Sequence, residues 1–226
     1  MKKIVAFLTA LLLVLSLSAC SAPKAPEIEH DTVDDQPAQT SAPEPTAEPE
    51  KQFSHGAWED RTFTSDYAEL TLTLPDESWV ISTDEELAQI MDLGMEETDS
   101  NLLEKAMMKL TNITDMMAQN PETGANIILM YENLGLNPAA KDLTVEGYAQ
   151  IVADGLKANE SITYTVDEPT TVTLCGNEYL ALDAHVDGYD LHQTYLMRYE
   201  GDMMVDLILT GVGENGIDEL KAMFAD

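Results

Sequence analysis

Basic residues are scarce in this chain. Eleven lysines and arginines stand against 42 aspartates and glutamates, which gives a formal net charge of −31 over 226 residues at pH 7. A surface this acidic repels phosphate, so nucleic acid and the headgroups of anionic lipids are excluded as electrostatic partners. Amines, cationic peptides and divalent metals remain compatible with the charge. The same acidity favours a soluble monomer.

Cysteine is nearly absent as well. The chain contains two, Cys20 and Cys175, and a pair so limited cannot form a disulfide framework. Cys175 follows a short apolar run and has no histidine or basic residue beside it in sequence. A thiol in that setting is expected to be a small packed residue and not a reactive nucleophile.

Catalytic signatures are also missing. The sequence contains no Gly-x-Ser-x-Gly elbow, which excludes the most recognisable hydrolase motif. The letters of a dinucleotide fingerprint occur at Gly211–Gly216, but the chain ends ten residues later without another strand, and Glu214 would repel pyrophosphate. These glycines predict a close-packed start to the last helix. We therefore expect that the protein is not an enzyme and has no resident cofactor.

One long apolar run is present, at the N-terminus. It extends from Ile4 to Leu17, follows Lys2 and Lys3, and ends in Leu17-Ser18-Ala19-Cys20. The run is too short for a permanent membrane span, and the small residues before Cys20 suit peptidase cleavage. The segment resembles the lipobox signal peptide of bacterial prolipoproteins. That resemblance implies that residues 1–19 are removed, that Cys20 carries diacylglycerol and an amide-linked fatty acid such as palmitate, and that the protein is lipid-anchored on the extracytoplasmic face of a cell membrane.

The segment 20–56 has the composition of a tether. Its part after Cys20 holds six of the ten prolines and eight acidic residues, with almost no large apolar side chains before Phe53. Such a segment cannot bury enough apolar surface to fold. As a flexible coil it would span roughly 30 to 36 Å, and over about 100 Å if extended. It predicts a domain held well clear of its membrane.

Residues 57–226 have the size and patterning of one globular α/β domain. Thr83 and Glu86 form a capping box before a helix, and Thr144 caps a second helix. After residue 160 short apolar strands alternate with turn dipeptides, which indicates an antiparallel meander. The expected hairpin turns are Gly176-Asn177, Asp187-Gly188 and Gly201-Asp202.

Both faces of the predicted sheet carry apolar side chains. One face collects Leu180, Leu182, Ala184, Val186, Leu191, Tyr195 and Met197, and the other collects Leu196, Val205, Leu207 and Leu209. A sheet that is apolar on both sides must be covered on both sides. We therefore predict an α+β fold in which helices cover both faces of an antiparallel sheet.

The order of elements resembles the PsbP-like fold, an α/β/α sandwich. The resemblance rests on a strand that Tyr67 opens and Leu74-Pro75 ends, followed by Trp79. It covers nearly all of residues 63–226. It implies a non-enzymatic binding or accessory role, and it transfers no functional residue to this chain.

The sharpest local cluster is the segment 183–192. Whether the turn falls at Asp187-Gly188 or at Gly188-Tyr189, a two-residue loop places Asp183, His185, Asp190 and His192 on one face of the hairpin. Two imidazoles and two carboxylates could bind zinc, copper or manganese. Ordinary cross-strand pairing is the alternative interpretation.

Three functions follow from these patterns. The first is a membrane-tethered binding or accessory lipoprotein whose partner is an envelope protein or a cationic ligand. The second is a metal-binding module built on the 183–192 hairpin. The third is a solute receptor of an importer, which a single domain of this size suits poorly because such receptors have two lobes.

Overall fold

The structure is a computed structural model. It describes residues 51–89, 111–136, 140 and 142–225. The lipobox, Cys20, most of the tether and residues 90–110 lie outside the described residues.

An eight-stranded antiparallel sheet forms the centre of the domain. Its strands are β4 (Val80–Ile81), β5 (Asn112–Gln119), β6 (Asn126–Asn133), β7 (Tyr164–Val166), β8 (Thr170–Leu174), β9 (Asn177–Val186), β10 (Leu191–Glu200) and β11 (Met203–Val212). They are arranged in the order β4-β5-β6-β11-β10-β9-β7, and β8 also pairs with β9. The three ten-residue strands β9, β10 and β11 confirm the predicted meander.

A smaller sheet precedes it in the chain. It consists of β1 (Ala57–Glu59), β2 (Thr62–Ser65) and β3 (Leu70–Thr73), paired antiparallel in that order. Phe63, Leu70 and Leu72 alternate with polar residues and are buried. This period of two is what lets a short strand pack one side on a core while the other side faces water.

Two cores lie on opposite faces of the large sheet. The first contains Leu182, Ala184, Val186, Tyr195 and Met197, and the helix α1 (Val145–Lys157) covers it. The second contains Leu196, Val205, Leu207 and Leu209. The two sets of residues fall on the faces that the alternating pattern predicts.

The cover of the second face differs from the prediction. The three strands β1–β3 pack on it through Phe63 and Leu72, together with the short helix α2 (Gly216–Lys221). The mostly antiparallel sheet with few helices agrees with the α+β class, whereas helices covering both faces of the sheet are not confirmed. Alternation in residues 62–73 fits a strand in either layer, so the sequence could not show that these strands form a separate sheet.

Local signals place the helices as expected. Thr144 accepts a hydrogen bond from the Gly147 amide at 3.1 Å and so begins α1. Thr83 and Glu86 exchange backbone-to-side-chain hydrogen bonds, which confirms the capping box. Gly211 packs against Gly216, and a Cβ at Gly211 would lie 2.5 Å from the Gly216 carbonyl carbon. The glycines therefore serve the close packing of α2 on β11.

Two of the three predicted hairpin connections differ in the structure, and one of them joins β9 to β10 by the four residues 187–190 in place of a two-residue turn. Gly201-Asp202 connects β10 to β11 as predicted. The turn between β8 and β9 is Cys175-Gly176, one residue earlier than predicted, because Leu174 pairs with Asn177. Both turn residues have left-handed φ angles, +51° and +73°, as a type I′ turn requires.

Candidate functional site

A cavity of about 280 Å³ opens at one end of the large sheet, on the face that α1 covers. It lies where the β5–β6 loop, the β9–β10 turn and the end of β11 meet. The residues that line it are Gln119, Asn120, Pro121, Thr123, Gly124, Asn126, Tyr164, Tyr189, Asp190, Leu191, Gln193, Thr210 and Val212. We call it the strand-end cavity. Concave sites with a few converging polar groups are where small molecules usually bind.

The β5–β6 loop is held in shape by its own side chains. Asn120 Oδ1 accepts hydrogen bonds from the amides of Glu122 and Thr123, at 3.0 and 3.2 Å. The Asn120 amide donates to the Ala125 carbonyl at 2.8 Å. Gly124 takes a φ of +88°, which favours glycine. One wall of the cavity is therefore preformed by local turn chemistry.

The floor of the cavity is polar and buried. It consists of Asn126, Gln193 and Thr210, each at most 6% exposed. Gln193 Nε2 donates to Thr210 Oγ1 at 3.3 Å, and the Tyr195 hydroxyl donates to Gln193 Oε1 at 3.3 Å. Asn126 Oδ1 is buried without a hydrogen-bond partner. A buried polar group in that state costs free energy unless something binds it.

The mouth of the cavity is aromatic and apolar. Tyr164 is buried beside it, and burial raises the pKa of its phenol. Tyr189 is 65% exposed and Val212 is 40% exposed. Exposed apolar side chains that rim a concave site are typical of a binding surface.

The sequence patterns do not identify the floor residues of the cavity, although two of them interrupt the apolar side of their strands. Gln193 and Thr210 occupy inward positions next to apolar inward residues of the same strands, such as Tyr195 and Ile208. A polar residue at an inward position breaks the binary pattern, and such breaks mark functional or strained sites. Only Asp190, at the rim, belongs to both the predicted cluster and the cavity.

The predicted hairpin cluster is only partly assembled. His185 pairs with His192 across β9 and β10, with ring centroids 6.2 Å apart. The two strands are joined by the four residues 187–190, and the Tyr189 amide donates to the Val186 carbonyl at 3.1 Å, which places Asp187-Gly188 at the centre of a β-turn. Asp183 accepts a hydrogen bond from the Thr194 hydroxyl. His192 Nε2 lies 3.6 Å from Asp190 Oδ1.

Each histidine of this cluster lies near a different acid of the connecting loop. His185 Nε2 lies 3.7 Å from Asp187 Oδ1, so each histidine contacts an acid of the turn in place of converging with the other on one point. Among the described residues, no group of three or more histidines, cysteines, aspartates or glutamates is placed to bind a metal ion.

A second polar cluster involves Asp115, a residue that sequence patterns did not single out. Asp115 lies at a β-bulge between Thr114 and Met116, and its side chain is 1% exposed. It contacts His55 Nδ1 at 2.7 Å and accepts a hydrogen bond from the Gly56 amide at 2.9 Å. A bulge turns one side chain out of the regular alternation. Here it directs a carboxylate onto the segment that leads to the tether.

Residues 51–56 consequently pack on the domain. Phe53 stacks edge-on against Tyr67 and Tyr131, with ring centroids 5.2 and 5.1 Å apart. Lys51 Nζ lies 2.5 Å from Glu69 and 3.5 Å from Glu200. The packed region therefore begins six residues before the boundary at residue 57 that composition predicts. We call residues 51–56 the docked strap.

A cavity of about 450 Å³ adjoins His55 and Asp115. It extends to Leu87 and Ala88, close to residue 90, where the described residues stop.

Within the described residues, no helix has the length and apolar character needed to cross a membrane.

Comparison with solved structures shows a likeness of fold. The chain is similar in fold to cyanobacterial PsbP (CyanoP) from Synechocystis sp. PCC 6803, with a TM-score of 0.42 and 11% sequence identity, over 77% of this chain and 94% of that chain. The likeness concerns the path of the backbone, and neither a ligand nor a function follows from it. No protein-family model matches the chain, and no curated protein matches it.

Proposed function

We propose that this protein is a lipid-anchored binding or accessory protein of the extracytoplasmic face, without catalytic activity, and that its ligand occupies the strand-end cavity. The observation that carries the proposal is the cavity itself, with its polar buried floor and its exposed aromatic rim. The anchor at Cys20 rests on the lipobox sequence.

The cavity is suited to binding and not to group transfer. The described residues that line it include no histidine, cysteine or lysine, and their only acid is Asp190 at the rim. Gln193 and Thr210 are amide and hydroxyl groups without a general base to activate them. Such groups orient a ligand by hydrogen bonding and leave its covalent bonds unchanged.

The length of the tether sets how far from the membrane the binding site can reach. Held by lipid at one end, a domain on a long flexible segment samples a thin layer of solution above the membrane at high effective concentration. The docked strap fixes where that tether leaves the domain, because Lys51 and Phe53 are held on the sheet. A small ligand or a partner in the envelope would be met within this layer.

Ligand occupancy is tested by closing the mouth of the cavity. We would screen a set of small organic fragments by saturation-transfer NMR against the full chain in detergent. The Val212→Trp variant adds bulk at the rim, and Leu136→Trp is the matched control, since Leu136 is 49% exposed and does not line the cavity. We expect fragments that bind wild type and the control but not Val212→Trp. Binding that is equal in all three proteins would contradict the proposal.

The anchor is tested separately. Cys20→Ser should move the protein from the membrane fraction to the soluble fraction and abolish labelling by a palmitate analogue. Cys175→Ser is the control, because it removes the other cysteine and leaves the lipobox intact. A Cys20→Ser protein that stays in the membrane fraction would disprove lipid anchoring at this residue.

A further inference from the structure

The floor of the strand-end cavity lacks one hydrogen-bond donor. Asn126 is 6% exposed, and its Oδ1 is buried without a partner. Its Nδ2 faces the Gly124 carbonyl oxygen at 3.4 Å, which fixes the orientation of the amide because a carbonyl accepts and does not donate. The unsatisfied group is therefore an acceptor, and a ligand that satisfies it must bring an N–H or O–H.

The neighbouring amide does not supply this donor. Gln193 directs its Nε2 to Thr210 and receives the Tyr195 hydroxyl on its Oε1. The two polar ends of Gln193 are thus already engaged within the protein. On the cavity floor, the group that still needs a hydrogen-bond donor is therefore Asn126 Oδ1.

The charge of the cavity has one sign. The described residues that line it include Asp190 but no lysine, arginine or histidine. The acidic rim disfavours an anionic ligand, and the formal net charge of −31 acts in the same direction. A cation is attracted at the mouth and is not repelled inside.

Two phenol rings complete the lining. Tyr164 and Tyr189 stand beside the cavity together with Leu191 and Val212. Aromatic faces attract cations, and aliphatic side chains cover an apolar body. The combination is suited to a ligand with an ammonium group at one end and an apolar or aromatic body at the other.

We propose that the strand-end cavity binds small primary organic ammonium ions, with the N–H groups donated to Asn126 Oδ1 and the positive charge balanced by Asp190. This inference rests on the proposed ligand-binding function and adds the chemical class of the ligand. A cavity of about 280 Å³ limits that ligand to a small molecule.

Three probes of nearly equal shape test the class: phenethylamine, phenethyl alcohol and phenylacetate. Their affinities for the full chain in detergent would be measured by titration calorimetry at pH 7. We expect phenethylamine to bind about tenfold more tightly than the alcohol, because charge-assisted hydrogen bonds are roughly twice as strong as neutral ones. We expect phenylacetate to show no binding. Raising the salt concentration should weaken the amine alone.

Two variants test whether Asp190 is the acid that attracts the ammonium group. Asp190→Asn removes the rim carboxylate, which is largely exposed, and should weaken phenethylamine about two- to fivefold while leaving the alcohol unchanged. Glu122→Gln is the matched control, since it removes the same charge from the adjoining loop at a residue that does not line the cavity. It should change neither affinity.

The outcomes separate the two proposals. Alcohol binding equal to amine binding, or an amine affinity that Asp190→Asn leaves unchanged, would overturn the ammonium assignment and leave the binding function standing. Binding of phenylacetate in preference to the amine would overturn it as well. If none of the three probes binds, the ammonium assignment fails, and the fragment screen with Val212→Trp decides the binding function independently.

Discussion

Glu132 and Asp206 are diagonal neighbours on β6 and β11, beneath α1. Glu132 pairs with Met204, two residues before Asp206, and the Tyr148 phenol of α1 is hydrogen-bonded to Glu132. Asp206 is 2% exposed, and neither of its carboxylate oxygens has a hydrogen-bond partner. Burial, with the charge of Glu132 as the second cause, raises the pKa of Asp206 to about 8. Burial also raises the pKa of Glu132.

This pair makes the stability of the domain depend on pH. The folded state holds a proton on Asp206 between the ordinary pKa of 3.8 and the raised value of about 8, whereas the unfolded chain has released it. The free energy of unfolding must therefore fall as pH rises through this window. We expect a loss of about 2 to 4 kcal/mol between pH 5 and pH 8, measured by urea unfolding.

Asp206→Asn isolates the effect. The amide resembles the protonated acid in shape and cannot ionise, so the fall in stability with pH should be clearly smaller in this variant, with only the contribution of Glu132 remaining. Glu178→Gln, at an exposed acid of β9, is the control and should keep the wild-type dependence. A wild-type free energy of unfolding that is constant or rises from pH 5 to pH 8 would refute the assignment.

Arg198 joins the two layers on the second face. Its guanidinium donates to the Ala68 carbonyl at 2.8 Å, pairs with Glu200, and stacks over the Tyr179 ring at 5.4 Å. Arg198→Lys keeps the charge but loses the planar fork that makes these contacts together. We expect it to lower the free energy of unfolding by about 1 to 3 kcal/mol. Lys157→Arg, at the exposed end of α1, should have no measurable effect; equal stability of the two variants would exclude this role for Arg198.

The contact of Gly211 with Gly216 leaves no room for a side chain. A Cβ at Gly211 would lie 2.5 Å from the Gly216 carbonyl carbon and 2.6 Å from the Ile217 nitrogen, and backbone cannot move aside cheaply. Gly211→Ala should destabilise the domain by about 1 to 3 kcal/mol and displace α2. Thermal unfolding and amide exchange in α2 report the two effects. Unchanged exchange in residues 216–221 would argue against this packing.

The docked strap depends on Asp115. Asp115→Ala removes the acceptor for His55 and for the Gly56 amide, and should release residues 51–56 while the sheet stays folded. We expect faster amide exchange and faster proteolysis after Lys51. Asp66→Ala, an exposed acid outside the contacts of Asp115, is the control. Equal protection of the strap in both variants would show that Phe53 packing alone holds it.

Local chemistry explains which parts of this fold could be predicted. Thr144 and the Gly201-Asp202 turn encode their structures within a few residues, so the helix and the hairpin follow directly from sequence. The side of the sheet on which each β10 and β11 residue lies follows from strict alternation. The pairing register between β9 and β10 could not be decided from the sequence. A turn at Asp187-Gly188 and a turn at Gly188-Tyr189 both place the same side chains on one face of the hairpin.

Tertiary placement explains what could not be predicted. The strand-end cavity is formed by Asn126, Tyr164, Gln193 and Thr210, which come from four different strands. Nothing in the spacing of these residues brings them together; only the strand order does. Asp206 was visible as a charged residue between the apolar Val205 and Leu207, but its burial under α1 depends on the same strand order.

The most direct test of the account is the location of bound ligand by chemical-shift mapping on isotope-labelled full-length protein. With phenethylamine, or with the best fragment from the screen, the account predicts shifts concentrated at Asn126, Tyr164, Gln193 and Thr210, the residues that line the strand-end cavity. Shifts confined to the His185 and His192 hairpin or to the docked strap, with none at the cavity floor, would contradict it.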